Sequence, residues 1–347
     1  MRNILDCFKK NKKPFIVAEL SGNHNNSLKH CFKSIEAAAN CGVDAIKFQT
    51  YTADTLTIKS NRKDFFINDP ESPWYKKNLY ELYKKGSTPW EWHRELFNHA
   101  KKYGITAFST PFDITALNFL KKFNPPCYKI SSFENTFHLL IKNASKTKKP
   151  LIISTGLATK KEIHEAVNVA KKNGCKRLIL LKCSSNYPAN PEDLNLKTIL
   201  DMKKNFSCEI GFSDHTLGIG SAIMSIGFGA RLIEKHFTLN KKDKTVDSKF
   251  SSDPVEMKNL VDESFKAWKS IGKKSYSFSK HEKKSLKFKR SLYFIKNLKR
   301  GDIISLNDIK AIRPGFGVPS KFFNKVKGKK LKKDVLKGMP VKFNLLK

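Results

Sequence analysis

The sequence predicts an α/β protein, a (β/α)₈ barrel of the TIM type followed by a small second domain. Short apolar segments alternate with amphipathic segments eight times within the first 271 residues. Strands that alternate with helices form parallel sheets with right-handed crossovers, and eight such units are typical of a closed barrel. No GxGxxG or GxxxxGK[ST] motif follows the first apolar segment, which disfavours a nucleotide-binding open sheet.

The predicted strands are short apolar runs that end in small or polar residues. In chain order they are FIVAEL (15–20), AIKFQT (45–50), ITAFSTP (105–111), CYKISS (127–132), LIISTG (151–156), LILLKCSS (178–185), EIGFSD (209–214) and RLIEKHF (231–237). An amphipathic stretch follows each run. Lysine- and Gly-marked ends such as KKYG (101–104) and KKNG (171–174) are typical helix C-termini before the next strand.

The alternation ends after Trp268, and we predict three regions along the chain. Residues 1–271 form the barrel, the Lys/Ser-rich residues 272–289 form a linker, and residues 290–347 form a compact, mostly irregular or β domain. A domain of fewer than about 60 residues has a marginal core. We therefore expect the second domain to dock onto a partner surface.

The charge of the chain is strongly positive. Lys and Arg number 67 against 31 Asp and Glu, a formal net charge of +36. Such an excess suggests a polyanionic partner, but only eight of the 67 are arginine, the residue that base-edge recognition and stacking on single strands favour. The lysines are spread over nearly every amphipathic stretch. We therefore predict no nucleic-acid partner, and a field that favours an anionic substrate.

The sequence predicts a soluble, cytoplasmic protein. It contains no run of 18 apolar residues, and its basic N-terminus lacks the apolar stretch and cleavage site of a signal peptide. The seven cysteines form no CxxC pair, so neither a disulfide framework nor a zinc cluster is predicted.

Polar residues mark the carboxyl ends of the predicted strands, where barrels of this type carry their active sites. They are Glu19, Asn23, His24, Lys47, Gln49, Ser109, Thr110, Lys129, Ser132, Glu134, Ser154, Thr155, Ser184, Ser185, Ser213, His215, Glu234 and His236. Lysines with small hydroxyl groups suit a phosphate or carboxylate ligand. This concentration at one end predicts an active site there.

Alternation sorts the charged residues of the last predicted strand. Side chains two positions apart share a face, so Glu234 and His236 point with Leu232 into the barrel. Lys235 then points outward to the helix layer, and no function is predicted for it.

The same alternation brings two histidines to one mouth. His215 shares a face with Ser213 on the seventh predicted strand, beside His236 on the eighth. Two imidazoles with carboxylates nearby (Asp214 and Glu234) suit Mn²⁺, Co²⁺ or Zn²⁺ with open coordination positions. The alternative is two unrelated histidines that hydrogen-bond locally.

Several motifs in register resemble the sialic acid synthase family. They are VAELSGNHNNSL, AIKFQTY, AFSTPFD, YKISSFE, ISTG, GFSDHT, IEKHF, RSLY and IRPGFG, and they cover nearly the whole chain. The resemblance implies a barrel joined to a small C-terminal antifreeze-like (SAF) domain. TYTADTLTI, NLYELY, STPWEWH, VDSKFS and RPGFGVPSKFF are most similar to the branch that makes pseudaminic acid. The branches that make N-acetylneuraminic and legionaminic acid are the alternatives.

This resemblance implies a transferase reaction. Phosphoenolpyruvate condenses with the open-chain aldehyde of 2,4-diacetamido-2,4,6-trideoxy-L-altrose and water, giving pseudaminic acid and phosphate by C–O cleavage. It implies a divalent metal on His215 and His236, with Mn²⁺ expected and Co²⁺ or Mg²⁺ as alternatives. The implied catalytic groups are Glu19, Glu134 and Glu234, besides the two histidines.

The family pattern also implies two sets of substrate ligands. The phosphoenolpyruvate set is Lys47, Thr110, Lys129, Ser132, Ser154, Ser184, Ser185 and Ser213. The sugar set is Glu19, Asn23, Gln49, Tyr187, Asp247 and Arg313. Ser185 departs from the family pattern, which commonly has Asn at that position.

The resemblance implies a domain-swapped homodimer in which the SAF domain covers the partner's barrel and Arg313 reaches the substrate in trans. The alternative for Arg313 is an exposed arginine in a surface turn. Two rival functions are a Schiff-base aldolase that uses Lys129 or Lys235, and a non-catalytic barrel that binds polyanions.

Overall fold

The computed structural model describes residues 2–347 and contains an eight-stranded parallel sheet. The strands are β1 (Phe15–Glu19), β2 (Ala45–Thr50), β3 (Thr106–Pro111), β4 (Tyr128–Ile130), β5 (Leu151–Ser154), β6 (Leu178–Cys183), β7 (Glu209–Asp214) and β8 (Leu232–His236). Their order is β3-β2-β1-β8-β7-β6-β5-β4, and the two end strands, β3 and β4, contact each other. The predicted (β/α)₈ barrel is confirmed.

Helices follow the strands along the chain. They are α1 (Leu28–Asn40), α2 (Ala53–Leu56), α3 (Leu79–Gly86), α4 (His93–Lys102), α5 (Ile114–Lys121), α6 (His138–Lys146), α7 (Lys160–Lys172), α8 (Thr198–Asn205), α9 (Gly220–Gly227) and α10 (Pro254–Ile271). Capping boxes start two of the longest: Thr159 with Glu162 for α7, and Asp253 with Glu256 for α10. Between residues 2 and 347, none of the helices is both long enough and apolar enough to cross a membrane.

The outward faces of the strands pack against the helices. Ile16 and Ala18 on β1 and Ile233 and Phe237 at β8 belong to the largest apolar cluster, together with helix residues such as Leu260. Because both sides of a parallel barrel strand are covered, its outward face is expected to be apolar throughout.

A second apolar cluster fills the lower half of the barrel interior. It contains Phe15, Val17, Ala45, Phe108, Cys127, Ile152, Ile179, Leu181 and Leu232. The interior is tight there, since a Cβ on Gly211 would lie 2.5 Å from the Leu232 carbonyl oxygen. Two residues further along β1, β2, β4 and β8, the inward face carries Glu19, Lys47, Lys129 and Glu234. The inward face therefore changes from apolar to charged within one step of the pleat.

An N-terminal 3₁₀ helix, Ile4–Phe8, covers the lower end of this cluster. Its residues Ile4 and Cys7 are part of the cluster. The guanidinium of Arg231, just before β8, donates to the carbonyl oxygens of Cys7 (3.2 Å) and Lys12 (2.8 Å). The barrel is thus closed at the end opposite to the charged residues.

The chain divides into two compact units, one ending at Gly272 and one spanning Lys273–Lys347. The second contains α11 (Lys280–Ser285), α12 (Phe323–Val326) and an antiparallel pair, β9 (Ser291–Phe294) and β10 (Ile309–Ile312). Its own core includes Leu292, Phe294, Ile309 and Val341. The helix α11 lies within the predicted linker, and the boundaries 1–271, 272–289 and 290–347 stay a prediction.

Candidate active site

Glu234 is the centre of a buried charge cluster at the carboxyl ends of the strands. Its Oε1 accepts hydrogen bonds from Lys129 Nζ (3.1 Å) and Ser213 Oγ (3.1 Å) and lies 2.9 Å from Lys47 Nζ. These three donors come from β4, β7 and β2. The second oxygen, Oε2, is buried without a partner. One carboxylate thus joins three strands and keeps one oxygen free.

Glu19 extends the cluster to β1. It forms an ion pair with Lys47, and its Oε1 accepts a hydrogen bond from Gln49 Nε2 at 3.2 Å. The parallel register sets Glu19 opposite Lys47 on one side and opposite His236 on the other. The charges meet because the strands are in this register.

The pKa values in the cluster reflect burial and mutual charge. Burial opposes the ionisation of Glu234, but the charges of Lys129 and Lys47 hold its pKa below the usual range. Burial lowers the pKa of Lys47 to about 7, although the charge of Glu234 acts in the other direction. The Glu234 carboxylate is therefore ionised at neutral pH, and a further anion would favour the charged form of Lys47.

Hydroxyl groups with unused hydrogen-bonding capacity lie at the ends of β3, β5 and β6. Thr110 Oγ1, Ser154 Oγ and Ser185 Oγ are buried and have no partner. A Cβ on Gly156 would overlap Ser185 Oγ and lie 2.7 Å from Ser132 Oγ, so the backbone passes close to these hydroxyls. Buried polar groups are normally paired, so an unpaired set is typical of a ligand site.

The two histidines are neighbours, as predicted. The ring centroids of His215 and His236 are 5.3 Å apart, and Tyr187 lies 4.4 Å from His215. His215 Nδ1 is 2.6 Å from the Ser184 carbonyl oxygen. Because a carbonyl only accepts, Nδ1 carries the proton and donates, which leaves Nε2 as a lone-pair donor. His236 Nδ1 is buried without a hydrogen bond, 3.9 Å from Asp247 Oδ2.

The donor set fits a divalent cation with few protein ligands. His215 is oriented by a backbone carbonyl, which is the usual support of a metal-binding imidazole. Within residues 2–347, no three His, Cys, Asp or Glu side chains group together to hold a metal. The two imidazoles are the donors that the site offers. Asp214, expected beside them, instead faces outward and bonds Lys235 Nζ at 2.7 Å.

Glu134 is a half-buried carboxyl in the 3₁₀ turn Ser132–Glu134 after β4. It accepts a hydrogen bond from Ser131 Oγ. Burial raises the pKa of Glu134 to about 7, while the charge of Lys129 acts in the opposite direction. A carboxyl with this pKa can give or take a proton near neutral pH.

The side-chain amide of Asn23 makes all of its hydrogen bonds to other parts of the protein. Its Nδ2 donates to the Phe237 carbonyl oxygen (2.9 Å) and to Ser251 Oγ (2.8 Å). Its Oδ1 accepts from Thr245 Oγ1 (2.7 Å) and the Asp247 backbone N–H (3.2 Å). A side-chain amide has two donors and two acceptor positions, so none remains for a sugar hydroxyl. Asn23 holds the loop after β8 that carries Asp247.

Two of the predicted site residues, Ser184 and Arg313, do not place a side chain among the buried groups described above. The Ser184 side chain is half-buried, and the contact that the site uses is its carbonyl oxygen on His215. Arg313 belongs to the second unit, where it is exposed directly after β10. Its part in the site stays a prediction.

Two residues of the site were missed at the sequence level. Cys183, for which no role was predicted, lies 3.9 Å from His215 Nδ1. Burial raises the pKa of Cys183, but the charge and hydrogen bond of a protonated His215, with smaller contributions from Ser132 and Lys129, bring it to about 7. Its inward alternation with Leu181 was the available signal. Gly156 gave a weaker one, as a glycine directly after the predicted Ser154 and Thr155.

A basic cavity of about 610 Å³ lies between the region around α3 and the loop after β8. Six of its lining residues are lysines: Lys77 before α3, Lys85 within α3, and Lys241, Lys242, Lys244 and Lys249 in the loop after β8. Trp74 also lines it, and the ring of Trp74 lies 5.6 Å from that of Tyr187, which stacks on His215. Anionic molecules are therefore attracted towards this side of the barrel mouth.

These features define a class of protein: a TIM barrel whose mouth combines buried lysines, unpaired hydroxyl groups, buried carboxyl groups and a histidine pair. The chain belongs to the NeuB family, which residues 34–276 match. Residues 289–347 match the SAF domain.

Individual relatives resemble nearly the whole chain. Pseudaminic acid synthase of Campylobacter jejuni subsp. jejuni serotype O:23/36 (strain 81-176) is 44% identical over 94% of this chain and 95% of that protein. N,N'-diacetyllegionaminic acid synthase of Campylobacter jejuni subsp. jejuni serotype O:2 is 35% identical over 94% of this chain and 99% of that protein. The solved N-acetylneuraminic acid synthetase of Leptospira borgpetersenii has a TM-score of 0.70 at 30% identity, covering 80% and 91% of the two chains.

Proposed function

We propose that this protein condenses phosphoenolpyruvate with the open-chain aldehyde of 2,4-diacetamido-2,4,6-trideoxy-L-altrose and water, giving pseudaminic acid and phosphate. The observation that carries the proposal is the charge cluster around Glu234, set beside unpaired hydroxyls and two histidines. The 44% identity to a pseudaminic acid synthase supports this sugar rather than the legionaminic or N-acetylneuraminic precursor. A cytoplasmic location accords with these substrates.

Phosphoenolpyruvate binds to the lysines and hydroxyls of the site. Lys47 and Lys129 supply positive charge, and the unpaired Thr110, Ser154 and Ser185 hydroxyls donate hydrogen bonds. Ser132 and Ser213 complete the set from β4 and β7, while Ser184 acts through its carbonyl oxygen. A multiply charged anion in this low-dielectric pocket gains more from each donor than it would in water.

His215 and His236 would hold the divalent metal, with Mn²⁺ proposed and Co²⁺ or Mg²⁺ as alternatives. The metal supplies Lewis-acid polarisation of the aldehyde oxygen. In the neutral ring the Ser184 carbonyl holds the proton on Nδ1, so Nε2 of His215 is the nitrogen with a lone pair for the metal. His236 Nδ1, buried without a hydrogen bond, is suited to the same ion or to Asp247.

Two carboxyl groups move the protons. C3 of phosphoenolpyruvate attacks the aldehyde carbon, and positive charge develops at C2. Water adds at C2 and gives its proton to the ionised Glu234, whose Oε2 is free. Glu134, with a pKa near 7, protonates the former aldehyde oxygen. The tetrahedral adduct then collapses: the C2 hydroxyl becomes the C2 ketone, the C2–O bond to phosphate breaks, and the hydroxyl proton leaves on the phosphate. Exchange with solvent returns Glu234 to the ionised form and Glu134 to the protonated form.

The sugar lies on the side of the mouth formed by Glu19, Gln49, Tyr187 and Asp247. We propose that Arg313 from the SAF domain of a second copy completes this side in a domain-swapped homodimer. Arginine is scarce in this chain, which has only eight, and this scarcity supports a specific role for Arg313. An Arg313→Ala enzyme is expected to show a raised sugar KM and an unchanged phosphoenolpyruvate KM.

A mixing experiment tests the trans arrangement. Arg313→Ala and Glu234→Gln chains are unfolded separately, mixed and refolded together. If Arg313 acts in trans, mixed dimers contain one intact site and recover activity. No recovery, together with an unchanged sugar KM for Arg313→Ala, would remove Arg313 from the site.

The activity itself is tested by phosphate release from phosphoenolpyruvate with each of the three precursor sugars, with Mn²⁺ and with EDTA. We expect turnover with the altrose derivative that EDTA abolishes. Turnover only with another precursor would move the chain to that branch. His236→Ala should lose the metal-dependent turnover and keep the wild-type melting temperature within a few degrees.

The rival functions give opposite results. A Schiff-base aldolase would resist EDTA and form a borohydride-trapped adduct at Lys129 or Lys235. Lys235 is poorly suited because its amine bonds Asp214 and the Thr216 carbonyl on the outward face. A polyanion-binding barrel would bind nucleic acid in a strongly salt-dependent way and release no phosphate.

A further inference from the structure

Lys235 is a buried charge on the outward face of β8, among apolar neighbours. Its side chain is 1% exposed. The amine donates to Asp214 Oδ2 at 2.7 Å and to the Thr216 carbonyl oxygen at 2.7 Å. Ile233 and Phe237, on the same face of the strand, belong to the apolar cluster between barrel and helices. No function was predicted for a lysine in this position.

The second carboxylate oxygen of Asp214 accepts hydrogen bonds from Thr216, two residues further along the chain. Its Oδ1 accepts from the Thr216 backbone N–H (2.9 Å) and from Thr216 Oγ1 (2.7 Å). The register sets Asp214 directly opposite Lys235 across the β7–β8 ladder. The residues before and after His215 are therefore both bonded to one lysine.

The same lysine precedes the second histidine. His236 follows Lys235, and its backbone carbonyl accepts from the Ser252 N–H at 2.8 Å. The segment 214–216 can thus move relative to His236 only by breaking the bonds of Lys235. The 5.3 Å between the two imidazole centroids is fixed from behind the strands, on the face that no substrate reaches.

Stability alone gives a weak reason for this pair. Removing two charges from water is costly, and apolar residues of similar volume often stabilise a protein as well as a buried ion pair does. The surrounding positions on β7 and β8, such as Phe212 and Ile233, are apolar and fully buried. What an apolar pair would not supply is a set of directional bonds to both sides of His215.

We propose that Lys235 is a positioning residue, which sets the spacing of His215 and His236 through its bonds to Asp214 and Thr216. The inference rests on the proposed metal site of these histidines. It predicts that loss of the Lys235 bonds weakens metal binding while the phosphoenolpyruvate site, most of whose ligands lie on or directly after β2 to β6, is preserved.

The test measures Mn²⁺ binding by calorimetry on the metal-stripped full chain. The main variant is Lys235→Met with Asp214→Asn, which removes both charges and keeps an acceptor for Thr216. Mn²⁺ affinity should fall about 10- to 100-fold, the usual effect of losing an outer support of a metal ligand. The absorption spectrum of bound Co²⁺ should change, and the phosphoenolpyruvate Kd should stay within about threefold.

Two further variants keep the outcome decisive. Lys235→Arg retains the charge with a different donor geometry and should recover part of the Mn²⁺ affinity. Arg2→Met removes the Arg2–Asp44 pair (2.8 Å) at the closed end of the barrel and serves as the matched control. It should lower the melting temperature and leave the Mn²⁺ affinity unchanged.

The inference is overturned if the double variant melts like Arg2→Met and binds Mn²⁺ with wild-type affinity and an unchanged Co²⁺ spectrum. A wild-type chain that binds neither ion would overturn both the metal site and this inference. A wild-type chain that binds Mn²⁺ but releases no phosphate would count against the proposed reaction alone.

Discussion

The two faces of β8 carry buried charges of different kinds. On the inward face, Glu234 accepts three donors on one oxygen, and its other oxygen has none. On the outward face, Lys235 and Asp214 direct every bond described for them to each other or to Thr216. The strand is the same and the burial is similar. The difference lies in whether hydrogen-bonding capacity is left over.

Unused hydrogen-bonding capacity distinguishes a ligand site from a group of residues that only supports the structure. An unsatisfied buried polar atom costs about 1–3 kcal/mol, and a bound ligand can recover that free energy. The inward cluster is therefore incomplete by itself, whereas the outward pair is complete. Losses at the first should act on the reaction directly, whereas losses at the second should lower stability and act on the reaction only through the spacing of the two histidines. The following changes test that division.

The largest effect is expected for Glu234→Gln. The neutral amide cannot take the proton of the attacking water, and it leaves Lys47 and Lys129 with less compensating charge. Phosphate release should fall roughly 10²- to 10⁴-fold, the range of a lost proton-transfer group. Glu263→Gln, which breaks a surface pair with Lys266, is the control. A Glu234→Gln enzyme within threefold of wild type would disprove the assignment.

Lys235→Met should act on stability. It leaves Asp214 as an unpaired buried charge, so the free energy of unfolding should fall by about 3–5 kcal/mol. Adding Asp214→Asn should recover most of the loss. Urea denaturation measures both, with Lys258→Met, which breaks a surface pair with Asp262, as a control that changes less than about 1 kcal/mol. Equal losses in the single and double variants would contradict the pairing.

Gly156→Ala should weaken substrate binding without unfolding the barrel. The added methyl group would overlap Ser185 Oγ and crowd Ser132. Overpacking of this kind costs about 1–3 kcal/mol, which corresponds to a roughly ten- to hundredfold higher KM for phosphoenolpyruvate. Gly220→Ala, at a position with no atom within 4 Å of the new Cβ, is the matched control. Equal KM values for the two variants would argue against the hydroxyl site.

The smallest effect concerns the pH profile. Burial raises the pKa of Glu134 from 4.5 to about 7, so its carboxyl is protonated below that pH. If Glu134 donates a proton, kcat should fall as the pH rises through 7, and Glu134→Gln should lose this limb. By linkage, the contribution of Glu134 to unfolding free energy is present below pH 4.5 and decreases as the pH rises to 7. An unchanged limb in Glu134→Gln would assign it to another group.

The sequence predicted most of the barrel because the pattern repeats locally. Apolar runs that end in polar residues occur eight times, and alternation correctly turned Glu234 and His236 inward. Lys47 and Lys129 were found because they lie near the carboxyl ends of predicted strands, where barrels of this type carry their active sites. These inferences use one strand at a time.

What the sequence did not predict depends on register between strands and on loops. Asp214 was expected beside the histidines because it is adjacent to His215 in sequence, but alternation within β7 turns it to Lys235. Asn23 was expected to bind sugar, but its partners come from Phe237, Thr245 and Ser251, far along the chain. Neither the partner of Asp214 nor the partners of Asn23 can be found without knowing the register of the strands and the contacts between distant loops.

The ladder between β1 and β8 has a consequence for folding. This ladder joins the first and last strands of the barrel. Glu19 lies opposite His236 only after the ladder has formed. Lys129 is 105 residues from Glu234 in sequence, so the charges are paired only late, after the costly long-range closure. A partly wound barrel therefore keeps these groups hydrated and apart. Closure in a wrong register would bury these charges without their partners, which is costly. The charges that form the site therefore also select the register in which the barrel closes.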